Sequence, residues 1–154
     1  MQKRCWVWKK PPSVACRQRK EHDQMSIAKT TEQKSSGKAY NWENIPSEVV
    51  RAGISRKGFK WKDMMMVMNE CHPGMKLNPH SHTFEQMAYI VSGRAIYHVG
   101  DVGHEVGPGC FLVVPAGVVH YIEPLGTEPV MNLDFFLPAR EDYMHLVKYL
   151  DEDK

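Results

Sequence analysis

GMKLNPHSHTFEQMAYIVSG (residues 74–93) decides how the chain is read, because a histidine pair one residue apart runs directly into an alternating apolar segment that ends on a Ser-Gly turn. Side chains of an extended chain alternate between faces, so His80 and His82 share a face and can hold one cation through imidazole nitrogens at about 2.0–2.1 Å. Continuing the same parity places Phe84, Gln86 and Ala88 with the histidines, and Thr83, Glu85 and Met87 on the opposite face. Gln86 is the ligand this parity selects. A bulge after His82, a common feature beside active sites, would exchange it for Glu85.

Outward from this segment the chain continues in short β-type runs: MMMVMNE (64–70), FEQMAYIV (84–91), RAIYHV (94–99), CFLVVP (110–115), VVHYIE (118–123) and PVMNLDFFLP (129–138). The turn signals SGR, VGD, GPG and PAG separate them, a pattern that argues for an all-β sandwich or barrel. Neither GxGxxG after a strand nor GxxxxGK occurs, so nucleotide-phosphate loops are excluded. EDYMHLVKYL (141–150) spaces Tyr143, Leu146, Val147 and Leu150 helically, with acids in its first turn, and is expected to pack as a short helix against the barrel. Residues 41–55 contain Pro46 and Gly53 and read as a strand or irregular arm.

At 154 residues one domain is expected. No apolar run is long enough for a membrane span or a secretory signal, which makes a cytoplasmic location the expectation. Residues 1–38 hold ten Lys/Arg against three acids, about +7, so with +2 overall the remainder carries −5. That basic stretch has no hydrophobic period and reads as a disordered, solvated tail ahead of a single domain over 39–154, rather than as a nucleic-acid arm. Cys5, Cys16, Cys71 and Cys110 form no CxxC pair and read as reduced thiols, with Cys71 and Cys110 packed.

His22 lies in the tail, His104 in a glycine-bounded turn and His145 on the terminal helix, settings that ask for no metal. His120, after the PAG turn, comes from a second strand, as a site clamped between two sheets requires. His72 and His98 are substitutes should the register differ. Gly74, His80, His82, Gln86 and Gly93 on one side, and Gly109, Pro115, Gly117 and His120 on the other, have spacings that resemble the two motifs of the cupin superfamily. The resemblance implies a double-stranded β-helix, or jelly-roll barrel, with one divalent metal held by His80, His82, Gln86 and His120. Gln86 stands where glutamate is usual, and Pro124 where asparagine is frequent. Three imidazoles and an amide leave the metal charge uncompensated, so the site should favour an anionic ligand and Lewis-acid chemistry. Zinc, nickel, iron and manganese all accept such donors.

On VMNLDFFLP, Met131, Leu133, Phe135 and Leu137 share one face and Asn132, Asp134 and Phe136 the other. Asn132 and Asp134 are costly to bury without partners, which places them around a polar cavity; a carboxylate merely accepting backbone hydrogen bonds is the plainer reading. Arg140 has the choice of Asp134, a substrate carboxylate, or a surface pair with Glu141 or Asp142. HSHxxEQ, VPAGVVH and LDFFLPARED together resemble the pectin-degradation cupins that linearise 4,5-unsaturated monouronates. That narrower resemblance implies catalytic roles for Asp134, Phe136 and Arg140, ring opening or isomerisation of a sugar acid, and a homodimer; it does not reach residues 1 to about 38. A non-haem iron dioxygenase, a metal-dependent lyase and a non-catalytic small-ligand-binding cupin share the same pattern.

Overall fold

Nine strands carry the architecture of the computed structural model, which describes residues 37–152. They are β1 (Glu48–Arg51), β2 (Ile54–Trp61), β3 (Met64–Cys71), β4 (Gln86–Ser92), β5 (Arg94–Val99), β6 (Val102–Val106), β7 (Phe111–Val114), β8 (His120–Leu125) and β9 (Val130–Phe136). A six-stranded sheet has the order β1-β2-β3-β9-β4-β7 and a three-stranded sheet the order β6-β5-β8, all pairs antiparallel. The fold is an all-β double-stranded β-helix. The expected tail over 1–38 lies, save for its last two residues, outside the described residues, as do Cys5, Cys16 and His22. Among the described residues no helix is long and apolar enough to cross a membrane.

Alternation sets which side chains meet. On β9, Val130, Asn132, Asp134 and Phe136 are buried while Met131, Leu133 and Phe135 are only partly so; on β4, Gln86, Ala88 and Ile90 are buried while Met87, Tyr89 and Val91 are exposed. Ala88, Ile90, Ala95, Tyr97, Val106, Val114 and Val130 join in one apolar core. A second cluster of Met65, Val67 and Phe136 is closed by Leu146 and Val147 from the chain's end. Residues Glu141–Val147 form a 3₁₀ helix and Tyr149–Glu152 a short α-helix (α1), so the terminal element is tighter than an α-helical spacing of 3.6 implies. It packs where Gly58 leaves room: a Cβ there would stand 2.6 Å from Leu146 Cβ.

Three expectations need correction. β2 extends over residues read partly as an arm and partly as nothing, because its Lys, Arg and Gly residues dilute the apolar alternation. β6 runs through the glycine-bounded segment assigned to a turn, and His104 stands exposed upon it. Cys110 is exposed rather than packed, since it sits in the turn that leads into the edge strand β7. Cys71 is buried as expected.

Candidate metal centre

His80 and His82 do not lie on one continuous strand. His80 makes an isolated antiparallel bridge to His120, with His80 N–H donating to His120 O at 3.2 Å and His120 N–H to His80 O at 2.8 Å. Residues 81–85 leave the strand, and β4 begins at Gln86. The premise of unbroken parity therefore fails over this stretch, although Gln86 is buried and Glu85 exposed. The bridge extends the edge of the small sheet and brings the two histidine-bearing segments side by side.

One donor atom from each of His80, His82 and His120 falls within 4.8 Å of the others. Each ring is oriented the same way. Nδ1 of His80 donates to Asn78 O at 3.0 Å, that of His82 to Phe84 O at 2.7 Å, and that of His120 to Val118 O at 2.9 Å. A carbonyl only accepts, so these bonds fix the protonated nitrogen as Nδ1 and leave Nε2 with a free lone pair in each neutral ring. His120 Nε2 is buried without a partner, and burial lowers the pKa of His120 to about 4 against the opposing hydrogen bond to Val118, so its ring is neutral near pH 7. His82 ring-stacks on Phe84 at 4.3 Å between centroids, which further limits its rotation.

Gln86 completes the set. Its Nε2 donates to Tyr97 Oη at 2.9 Å and to Asp134 Oδ1 at 2.7 Å, which turns Oε1 toward His82 Nε2 at 3.1 Å. With the His82 proton on Nδ1, that last pair is two acceptors facing each other, an arrangement that a shared cation relieves. Two ligands each about 2.1 Å from a metal and at right angles stand about 3 Å apart. The donor chemistry thus fits a divalent metal. His72 and His98 are not brought in: His72 pairs with Glu70 at 3.0 Å and His98 with Glu123 at 3.2 Å.

A cavity of about 280 Å³ opens on this cluster and is lined by His80, Gln86, His120, Asn132, Asp134, Phe136 and Arg140 among others. Asp134 Oδ1 accepts from Gln86 and from Asn132 Nδ2 at 2.8 Å, and Oδ2 accepts from Asn69 Nδ2 at 2.8 Å. Burial pushes the Asp134 carboxyl up to about 7, outweighing these three amide bonds and the field of Arg140, which pull it down. Asn69 was missed in the sequence; its inward position on β3 becomes visible only with the strand register. Arg140 does not pair with Asp134. Its Nε and Nη2 donate to Asp142 at 3.1 and 2.6 Å, and its guanidinium lies 3.7 Å from the Tyr143 ring centroid.

This barrel with its three-histidine cluster is similar to that of the cupins. Residues 67–136 match the family model described as Cupin domain. The chain resembles KdgF from Halomonas sp., at 25% identity over 70% of this chain and 98% of that one with a TM-score of 0.62. An RmlC-like cupin from Shewanella frigidimarina is similar at 26% identity over 70% and 96%, also with a TM-score of 0.62. A Klebsiella pneumoniae protein with a double-stranded beta-helix domain, at 22% identity over 67% and 91% and a TM-score of 0.56, shares the fold. No curated protein sequence matches.

Proposed function

We propose that the chain is a metal-dependent enzyme that opens or isomerises a small unsaturated sugar acid, with His80, His82, Gln86 and His120 as metal ligands. The observation that carries this reading is the neutral donor set, three Nε2 lone pairs and one amide oxygen, in a cavity shared with a carboxyl pushed up to about 7. A divalent metal held there supplies Lewis-acid polarisation of a substrate oxygen. The uncharged ligands leave its charge to attract an anion. Asp134, whose carboxyl burial pushes up to about 7, is suited to hold and return a proton of the substrate. Phe136 gives the cavity an apolar wall, and Arg140, pinned by Asp142, adds positive field. The resemblance to KdgF supports the sugar-acid substrate. The exposed apolar outer face of β4 and β7, with Tyr89, Val91, Phe111 and Val113, supports a homodimer, which sedimentation would test.

The test is metal analysis of the purified chain followed by incubation with a 4,5-unsaturated monouronate. The expected result is loss of the double bond's ultraviolet absorbance, abolished by chelation and restored by metal, with no oxygen consumed. Full metal occupancy without turnover overturns the reaction, and oxygen uptake favours a dioxygenase. One observation favours a second reading: all three partners of Asp134 are amides, as befits a carboxylate that only positions Gln86 in a non-catalytic anion-binding cupin. That protein would bind the uronate unchanged.

A further inference from the structure

Arg56 reaches the same cavity with the end of its fork unoccupied. β2 turns Ile54 and Arg56 toward the inside of the large sheet, and the register carries the Arg56 position across two further strands, pairing it with Asn69 and Asn69 with Asn132. The next inward residue on β9 after Asn132 is Asp134. Arg56 therefore ends a polar row that leads along the sheet to the carboxyl beside Gln86.

Its guanidinium is held rather than free to swing. Nε donates to Glu48 Oε2 at 2.6 Å, the group lies 4.3 Å from the Tyr143 ring centroid, and only 15% of the side chain is exposed. Among the described residues nothing accepts from Nη1 or Nη2. Arg140 is the contrast: Asp142 already occupies two of its nitrogens in bidentate fashion. Of the charged groups that line the cavity, Arg51, Arg56 and Arg140 are cationic and only Asp134 is acidic. An orienting contact at Nε with open terminal donors is the form of an anion receptor whose ordering cost is met before the ligand arrives.

Separation then limits the ligand. β3 and β9 stand between β2 and β4, three strand spacings on the order of 14 Å across the sheet, and the register sets Arg56 in the row of Ile90, four residues along β4 from Gln86. The long Arg56 side chain nevertheless lines the same cavity as His80, Gln86 and His120, whose volume of about 280 Å³ is on the scale of one small sugar acid. We propose that Arg56 is the receptor for a carboxylate at the end of the substrate remote from the metal, making the site selective for small acids whose carboxylate and metal-bound oxygen are several carbons apart. This rests on the metal site proposed above, and it makes Arg56 rather than Arg140 the residue that reads the substrate's charge. Glu48 and Tyr143 are positioning residues for it.

The test is calorimetric titration of the zinc-loaded full chain with galacturonate and with its methyl ester, the same sugar without the charge. Wild type should favour the acid by about tenfold or more, as one charge-assisted hydrogen-bonded pair implies. Arg56→Gln should lose that preference with zinc content unchanged. Arg56→Lys, which keeps the charge without the fork, is the second variant should the first not fold, and it should lose most of the preference. Full preference in either folded variant, or none in the wild type, overturns the receptor. Lost preference in Arg56→Gln together with an unsaturated uronate that the wild type leaves intact would reject the proposed reaction and keep the receptor.

Discussion

Gln86 Nε2 donates to Asp134 Oδ1 at 2.7 Å, so the carboxylate on β9 decides which end of the amide on β4 faces the histidines. If the amide turned over, its nitrogen would face His82 Nε2 and a metal would lose an oxygen donor. Asp134→Ala should therefore weaken metal binding, by about 10- to 100-fold as for other partners that orient ligands. Asp134→Asn retains an acceptor for Gln86 and should hold metal near wild-type affinity while losing turnover. Competition with a chromogenic chelator checks both, and equal affinity in Asp134→Ala would detach this carboxylate from the metal site.

The same residue should make the metal-free protein sensitive to pH. Burial raises the Asp134 carboxyl from 3.8 to about 7, so its contribution to stability is fully present below the unfolded value and is lost as pH rises through about 7. Urea denaturation of chelator-treated wild type and Asp134→Asn should show the variant gaining on wild type by a few kcal/mol, on the order of 2–4, between about pH 4 and about pH 8. A difference that does not change with pH would show that the carboxyl is not destabilised in the fold.

Much of this arrangement was legible in the sequence, and the parts that were not share a physical cause. The alternation on β9 placed Asn132, Asp134 and Phe136 together because a strand's period survives burial on one face. The histidine spacing suggested a shared site, although the route differs: an isolated bridge between His80 and His120, not strand parity, sets them side by side. Arg56 and Glu48 carried no local signal, and the helical spacing that included Tyr143 did not say what its ring would meet. Their meeting depends on the pairing of β1 with β2 and on a 3₁₀ helix nearly a hundred residues later, and long-range contacts leave no periodicity to read. β6 escaped for a different reason: four of its five residues are exposed, so it has no apolar face.

The choice of amide over carboxylate at position 86 should be measurable as charge selectivity. Gln86→Glu would place an anionic oxygen beside His82 Nε2, and would also remove the donor that Asp134 and Tyr97 accept. Metal should stay bound, while an anionic ligand such as galacturonate should bind more weakly by about tenfold, because the added carboxylate offsets part of the metal's charge. Tighter binding of the anion by Gln86→Glu would refute the charge basis of the site.

Gly58 links the terminal helix to the cavity. A methyl group there would stand 2.6 Å from Leu146 Cβ and 3.3 Å from Leu146 Cδ1, and the Gly58 carbonyl also accepts from Tyr149 Oη at 3.0 Å. Gly58→Ala must displace the 3₁₀ helix, at a cost of about 1–3 kcal/mol for overpacking. Because Tyr143 on that helix stacks against Arg56 and Arg140, the displacement should loosen both guanidinium groups without touching the histidines. The expected variant is less stable in urea, binds metal as wild type does, and binds galacturonate several-fold more weakly. Loss of metal together with the sugar acid would mean that the helix supports the whole barrel rather than its arginine wall.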